Sequence, residues 1–233
     1  MKVILLDYTG EPELTVAAAA RLCYSPSTPE ELHGQLTPEE VKRLIEMIFK
    51  LGHLSVFEHA SFTFGIEGIS RVTSHQLVRH RIASYSQQSQ RYVNLSNREN
   101  FVLPASVKES GLVKEVKEHF ERAAKLYEQL VEVGVPVEDA RFVLPQAITT
   151  NIIVTMNARE LHHFFRLRLC RRAQWEIREM AARMLFEAVK VAPVLFFKAG
   201  PSCYSQGRCS EGKMSCGRIV NSQEEIFREF NLK

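Results

Sequence analysis

The side chains best suited to binding chemistry lie close together in the stretch Arg79–Arg91. Its thirteen residues include three arginines, one histidine, three serines and three glutamines. Guanidinium groups bind phosphate oxygens through paired hydrogen bonds, and hydroxyl groups can complete such a site. The simpler interpretation of an arginine-rich run is a solvated helix end with weak surface ion pairs. The stretch therefore indicates either a site for an anionic ligand or an exposed polar surface.

The elements that must position this stretch follow from apolar spacing and from capping residues. Thr37 and Glu40 form a capping box, with Pro38 in the first turn, and predict the start of a helix that Gly52 can end. The preceding residues 25–34 contain two prolines and are predicted as a loop. Further helices are predicted over 12–23, 70–78, 112–133 and 158 to about 191, the last with Asn157 as its N-cap and Trp175 in its core face. Strands are predicted over 2–6, 61–67, 91–95, 101–103 and 149–155.

The composition is typical of a globular protein that folds around its own core. The chain has 233 residues, of which 45% are hydrophobic and 24% charged, with a net charge of +3. This mild charge does not indicate a nucleic-acid-binding protein. No apolar run approaches the roughly eighteen residues that span a bilayer, and the N-terminus lacks a signal-peptide pattern, so we expect a cytoplasmic protein without a membrane partner. Five cysteines, an odd number, favour reduced thiols.

The order of residues in the arginine-rich stretch resembles a known signature. Six residues have the types and spacing typical of flavin-dependent thymidylate synthases, namely Arg79, His80, Arg81, Ser84, Ser89 and Arg91. The resemblance extends from about His53 to Pro193. It implies a single mixed α+β domain over 1–199, in which long helices flank a central antiparallel-type sheet, followed by a cysteine-containing tail over 200–233. The absence of a G-x-G-x-x-G fingerprint after the first strand argues against a Rossmann domain.

The resemblance also implies which side chains bind the ligands. The FAD contacts implied in this way are His53, Ser55, Glu58, Arg79, His80, Arg81, Asn157, Arg159 and His163. The implied contacts with dUMP are Gln76, Arg79, Gln87, Gln88, Ser89, Gln90, Arg91, Arg141 and Arg168. Catalytic roles fall on Arg79, Arg168 and His53. The family often has proline at position 56, an acidic residue at 87 and asparagine at 163, where this chain has Val56, Gln87 and His163.

The reaction implied is the synthesis of dTMP without a cysteine nucleophile. A one-carbon unit moves from 5,10-methylenetetrahydrofolate to C5 of dUMP and is reduced by FAD, which NADPH reduces in turn. Such chemistry requires positioning and electrostatic stabilisation from the protein. The family assembles as a homotetramer with active sites between subunits, so the resemblance predicts the same assembly here.

Other interpretations remain open for particular segments. His53, Glu58 and His59 could be metal ligands or an exposed polar loop, but no close ligand spacing is present, and we predict no metal site. Three tail thiols, Cys203, Cys209 and Cys216, could bind zinc or an iron–sulfur cluster with a fourth ligand. No C-x-x-C pair occurs, so a flexible tail of free thiols is favoured, with Cys23 and Cys170 in ordinary helices.

Two other function classes would use the same residues differently. An RNA- or nucleotide-binding module would also cluster arginine, serine, glutamine and tyrosine, and would bind polynucleotides with a steep salt dependence. A metal-binding structural protein built on the tail would contain stoichiometric zinc or iron.

Overall fold

The fold is organised by a four-stranded antiparallel sheet with helices around it. The computed structural model describes residues 1–93 and 101–233, without the side chains of His33 and Gln35. The sheet order is β1-β2-β4-β3, where the strands are β1 Lys2–Tyr8, β2 Ser61–Ser70, β3 Ala83–Gln87 and β4 Thr149–Asn157. The predicted α+β class with an antiparallel sheet is therefore confirmed.

The helices follow the sequence pattern at most positions. They are α1 Pro12–Leu22, α2 Pro29–Gln35, α3 Pro38–Leu51, α4 Arg71–Leu77, α5 Ala105–Lys108, α6 Val113–Glu132, α7 Val137–Ala140, α8 Ala158–Arg168, α9 Trp175–Val191, α10 Ser202–Ser205 and α11 Gln223–Glu229. Short 3-10 helices span Leu54–His59, Arg141–Val143 and Gly212–Met214. Among the described residues, none of these helices has both the length and the apolar composition that a membrane span requires.

Capping residues explain where α3 begins and ends. Thr37 accepts a hydrogen bond from the Glu40 backbone, and the Glu40 side chain accepts one from the Thr37 backbone. Gly52 ends the helix with a φ of 75°, a left-handed conformation that glycine adopts without strain. The same box occurs at Thr28 and Glu31 and starts α2, so the loop predicted over 25–34 was wrong.

Four other local predictions were also wrong. The helix predicted from 158 to 191 breaks between α8 and α9, where Gln174 caps the backbone of Glu176 and Ile177. Trp175 opens α9 with 39% of its surface exposed and is not a core residue. Residues 91–93 form a turn where a strand was predicted, and 94–95 lie outside the described residues. Residues 101–103 contribute only an isolated bridge, between Phe101 and Ile148.

The chain divides into two compact units. The first comprises the described residues of 1–2, 66–79 and 85–153. Its core lies around Tyr127, Ala140 and Ile148, and Phe101 stacks on Phe120 of α6 with ring centroids 4.6 Å apart. This unit carries Gln76, Arg79 and the C-terminal part of the arginine-rich stretch.

The second unit comprises residues 3–65, 80–84 and 154–233. Aromatic rings fill its core, including Phe57, Phe62, Phe164, Phe165 and Phe196, all fully buried. The tail packs within this unit: Gln223 Nε2 donates to the carbonyl oxygens of Phe196 and Ala199, at 2.7 and 2.8 Å. The boundary that we predict at residue 200 remains a prediction.

Candidate functional site

In the second unit, His80 contacts two side chains of helix α8, one near each end of the helix. Asn157 caps α8 by accepting a hydrogen bond of 2.9 Å from the Glu160 backbone, which places Glu160 in the first turn. His80 Nδ1 lies 3.2 Å from Glu160 Oε1, and both residues are buried. Arg168 Nε, at the other end of α8, donates to His80 Nε2 over 3.0 Å. We call this arrangement the Glu160–His80–Arg168 chain.

The hydrogen bonds of this chain determine the protonation of the His80 ring. Because Nε2 accepts from a guanidinium, the proton of the neutral ring is on Nδ1 and points to the Glu160 carboxylate. Burial, followed by the charges of Arg168 and His163, lowers the pKa of His80 to about 4. Burial also raises the pKa of Glu160. Near pH 7 the neutral His80 ring therefore accepts the hydrogen bond from Arg168 Nε and orients the Arg168 guanidinium.

A cavity of about 820 Å³ opens beside the first turns of α8. Its polar lining includes Glu58, Asn157, Arg159 and His163, four of the side chains predicted to bind FAD. Arg159 pairs with Glu58 at 2.5 Å. Three further cations line the cavity, which sequence reasoning missed: Lys50, Arg166 and Lys198. Such a lining is suited to an anionic ligand of substantial size.

Except for Arg79, the other predicted FAD contacts are adjacent in sequence to residues that line the cavity, or contact such a residue. His53 and Ser55 are exposed and alternate with Gly52 and Leu54, which line the cavity. Arg81 is exposed and precedes Ile82, another lining residue. His80 is buried, and its ring centroid lies 5.7 Å from that of His163, which lines the cavity.

Most of the predicted dUMP contacts belong to the first unit, where arginines again cluster. Arg91 pairs with Glu138 at 2.6 Å, and Arg141 Nε donates to the Glu138 carbonyl oxygen over 3.0 Å. Burial, followed by the charge of Arg141, lowers the pKa of Arg71. Like charges held this close favour the binding of an anion between or beside them. Arg71 was missed by sequence reasoning, although a cation in the first turn of a helix opposes the helix dipole and is itself a signal.

Strand β3 and the turn after it hold the amide side chains of the predicted dUMP site. Gln87 Nε2 donates to Thr150 Oγ1 over 3.3 Å, and the Gln88 backbone donates to the Asn151 carbonyl oxygen over 2.9 Å. Ser89 Oγ accepts from the Arg91 backbone over 3.1 Å. Gln90 and Gln76 are half-buried, and Arg79 is exposed at the end of α4. Arg168 belongs to the other unit, in the Glu160–His80–Arg168 chain.

One group of possible metal ligands occurs near the large cavity. Ligand atoms of His80, Glu160 and His163 lie within 4.8 Å of one another. Both ring nitrogens of His80 already have hydrogen-bond partners, and the neighbouring Arg168 guanidinium repels a cation. We therefore assign no metal to this group.

Acid is expected to destabilise the second unit through His162. Its ring lies among Phe49, Phe57 and Phe196, and Nε2 donates to the Leu195 carbonyl oxygen over 3.0 Å. Burial lowers the pKa of His162 to about 4, from 6.5. Between these values the unfolded chain binds the proton more tightly, so the free energy of unfolding falls as pH falls, by about 2 kcal/mol from pH 7 to pH 5. Urea unfolding at both pH values should show this loss, and it should be smaller in His162→Leu. An equal loss in both proteins would contradict the assignment.

Comparison with known proteins places this chain in a family. A sequence model of the thymidylate synthase complementing proteins matches residues 4–194. The chain is 54% identical to a flavin-dependent thymidylate synthase of Geobacter sulfurreducens over 100% of both chains. It is 48% identical to one of Clostridium tetani over 96% of both. The crystal structure of a UMP/dUMP methylase, PolB, from Streptomyces cacaoi bound with 5-Br dUMP matches with a TM-score of 0.75 and 27% identity, over 85% of this chain and 95% of that one.

The fold and these comparisons define an α+β enzyme, and its cationic side chains are suited to anionic ligands. The chain belongs to the family of flavin-dependent thymidylate synthases, also described as thymidylate synthase complementing proteins.

Proposed function

We propose that this protein converts dUMP to dTMP, with 5,10-methylenetetrahydrofolate as the one-carbon donor, FAD as the redox cofactor and NADPH as the reductant. The observation that carries the proposal is the large cavity beside α8, with its cationic lining and four of the predicted FAD contacts. Family membership supports the same reaction, because relatives at 46–54% identity are named flavin-dependent thymidylate synthases.

The residues present fit a bound FAD in size and in charge. The cavity volume of about 820 Å³ lies within the range of roughly 300–1,000 Å³ typical of cofactor sites. Arg159, Arg166 and the two lysines supply charges for the diphosphate. Loss of solvation and the charges of Arg166 and Arg168 lower the pKa of His163, so its neutral ring can exchange hydrogen bonds with polar edges of the flavin.

When bound, reduced FAD supplies the hydride that converts the transferred one-carbon unit to a methyl group. The protein holds the ligands and stabilises charge. Arg168, which donates a hydrogen bond to His80, would donate hydrogen bonds to dUMP and stabilise negative charge that develops on the uracil carbonyl. Arg79 would serve both ligands, and His53 would lie near the folate and the flavin. Gln87 is neutral, so any contact it makes with uracil is a hydrogen bond without proton transfer.

The arginines of the first unit are proposed to bind the anionic part of dUMP. Arg91 and Arg141 both contact Glu138 in the structure, so binding of a phosphate would exchange or reorganise these contacts. Gln76, Gln88, Ser89 and Gln90 would complete the site with hydrogen bonds to the sugar and base.

Removal of Arg91 is expected to affect one ligand much more than the other. Arg91→Ala should weaken dUMP binding about 10- to 100-fold, the usual effect of losing charge-assisted hydrogen bonds, and should leave FAD affinity nearly unchanged. Separate titrations of FAD and of dUMP measure this difference. Arg122→Ala is the matched control, because Arg122 is an exposed arginine on α6 of the same unit. Equal losses of both affinities would reject this division of the arginines.

We also propose that the protein assembles as a homotetramer with active sites between subunits. Its proposed location is the cytoplasm. Several large apolar side chains of the first unit are exposed, among them Tyr92, Val133 and Phe142, with 81%, 78% and 83% of their surfaces accessible. Exposed apolar side chains of this size are typical of surfaces that associate. Light scattering of the purified protein would give the mass of the assembly, and a monomeric mass would contradict this proposal.

A visible absorption spectrum tests ligand binding directly. Fresh protein should show flavin bands, or acquire them when FAD is added, and the bands should shift when dUMP is added. No flavin bound even with excess FAD would contradict the proposal and favour a polynucleotide-binding module. Titration with UMP under the same conditions tests whether the site distinguishes ribose from deoxyribose.

A further inference from the structure

Four of the five cysteines of the chain line one small cavity in the second unit. The cavity has a volume of about 20 Å³, and its cysteines, which we call the cysteine cluster, are Cys170, Cys203, Cys209 and Cys216. A cavity needs roughly 10–15 Å³ to hold one water molecule, so this one has room for a single ion. The remaining cysteine, Cys23, is exposed on the segment after α1.

The break between α8 and α9 brings Cys170 to the tail. Sequence periodicity predicts Cys170 within a continuous helix, but α8 ends at Arg168 and Cys170 lies in the turn that follows. The turn is tied to the tail, because Arg171 Nη1 donates to the Arg218 carbonyl oxygen over 3.4 Å and Arg172 donates to that of Met214. Cys170 thereby adds a fourth thiol to the three thiols of the tail.

A pair of serines brings two cluster members together. Ser202 Oγ lies 2.9 Å from Ser210 Oγ and accepts a hydrogen bond from the Ser210 backbone. These serines immediately adjoin Cys203 and Cys209 in the chain. The contacts therefore close a loop whose two ends carry thiols into the same cavity.

The residues around the cluster suit a metal ion with thiolate ligands. Each of the four cysteines that line the cavity can offer a thiolate to an ion bound there. Two arginines, Arg171 and Arg218, also line the cavity, together with Glu211. The arginines can offset part of the excess negative charge of four thiolates around a divalent ion.

We propose that the cysteine cluster binds one Zn²⁺ ion through four thiolates. Four thiolate ligands suit a structural zinc site, in which Zn–S distances of about 2.3 Å place the sulfur atoms about 3.8 Å apart. Among the described residues, no three of these sulfur atoms lie within 4.8 Å of one another. Cys209 and Cys216 are exposed and lie outside helices and strands, so rotation about their χ1 angles can bring the sulfurs onto the ion.

Binding at this site requires no oxidant. Each thiol that ligates the ion loses its proton to solvent, four Zn–S bonds form, and neither the metal nor sulfur changes oxidation state. The ion would hold the tail against the turn that follows Arg168. The site is independent of the proposed enzymatic function, because its test measures metal and thiols rather than turnover.

Elemental analysis of the full-length protein, purified under reducing conditions and reconstituted with zinc chloride, tests the proposal first. After gel filtration we expect about one zinc per chain. Cys209→Ser and Cys216→Ser should each lower the zinc content at least about 10-fold, and Cys23→Ser should leave it unchanged. Zinc content that stays near zero in the reconstituted wild type, or is unchanged in both cluster variants, would overturn the proposal. Iron with inorganic sulfide in place of zinc would also overturn it.

Alkylation of the wild-type protein gives a test that does not depend on how the variants fold. With zinc bound, we expect N-ethylmaleimide to modify Cys23 readily and the cluster at least about 10-fold more slowly, with protection lost when a chelator removes the metal. Mass spectrometry of peptides identifies the modified residues. Equal alkylation with and without zinc, or disulfides within the cluster in reduced protein, would contradict a zinc site.

Discussion

Replacing Arg168 by alanine is expected to lower kcat/KM for dUMP by about 10²- to 10³-fold, the usual cost of losing one preorganised donor to a developing charge. Arg168 is half-buried at the end of α8, where its Nε is already bound to His80. Burial lowers its pKa, but the guanidinium stays charged near neutral pH. The loss should appear in steady-state kinetics with dUMP varied, while FAD affinity changes little.

Two further variants make this prediction specific. Arg168→Lys keeps a positive charge but lacks the planar fork that binds His80 and a ligand at once, so only part of the activity should return. Arg183→Ala removes an arginine of α9 whose described partner is Glu179, and serves as the matched control. Activity of Arg168→Ala equal to that of Arg183→Ala would contradict a direct role for Arg168.

Replacing His80 by alanine is expected to lower kcat about 100-fold, because a misplaced catalytic group costs about that much even when it is still present. His80 is buried and binds Arg168 and Glu160 through its two ring nitrogens. On these contacts we interpret His80 as a positioning residue for Arg168, and its predicted contact with the flavin stays a prediction. His80→Gln should retain more activity than His80→Ala, because an amide can donate to Glu160 and accept from Arg168.

A double-mutant cycle separates positioning from general stability. If His80 acts through Arg168, the double variant His80→Ala and Arg168→Ala should be no less active than Arg168→Ala alone. Losses in kcat that multiply would contradict the coupling and indicate that His80 acts only on stability. Thermal unfolding of all three variants, with and without FAD, identifies any that fail to fold.

Local chemistry made several elements predictable. The Thr37–Glu40 box, the Gly52 ending and the Asn157 N-cap all act within a few residues, so the sequence pattern specifies them. The same box at Thr28 could have been recognised, but two nearby prolines favoured a loop. Pro29 is in fact the first helical residue of α2, where proline is tolerated.

The break after α8 was harder to predict, because no glycine or proline marks it. Tertiary contacts explain it instead: Arg171 and Arg172 donate to carbonyl groups of the tail about forty residues later, which periodicity does not reveal. Strand β3, within the polar motif, similarly depends on pairing with β4. Its five residues alternate between half-buried and exposed, but mostly without the apolar side chains that identify a strand.

The candidate site was also only partly predictable from the sequence. Residue types in the motif indicated an anion site, and the family resemblance implied which ligand each residue binds. The partners that position these side chains are distant in sequence: Glu160 is eighty residues from His80, and Arg168 is eighty-eight residues from it. A single sequence offers no signal for such pairs, so Glu160 was missed.

Formation of dTMP from dUMP is the measurement that tests the proposed function most directly. Anaerobic reactions would contain FAD-loaded protein, dUMP, 5,10-methylenetetrahydrofolate and NADPH, and the nucleotides would be separated by chromatography. We expect dTMP only when all components are present, with loss of product when FAD, folate or NADPH is omitted. No dTMP in the complete reaction, or the same yield from protein free of FAD, would contradict the function proposed here.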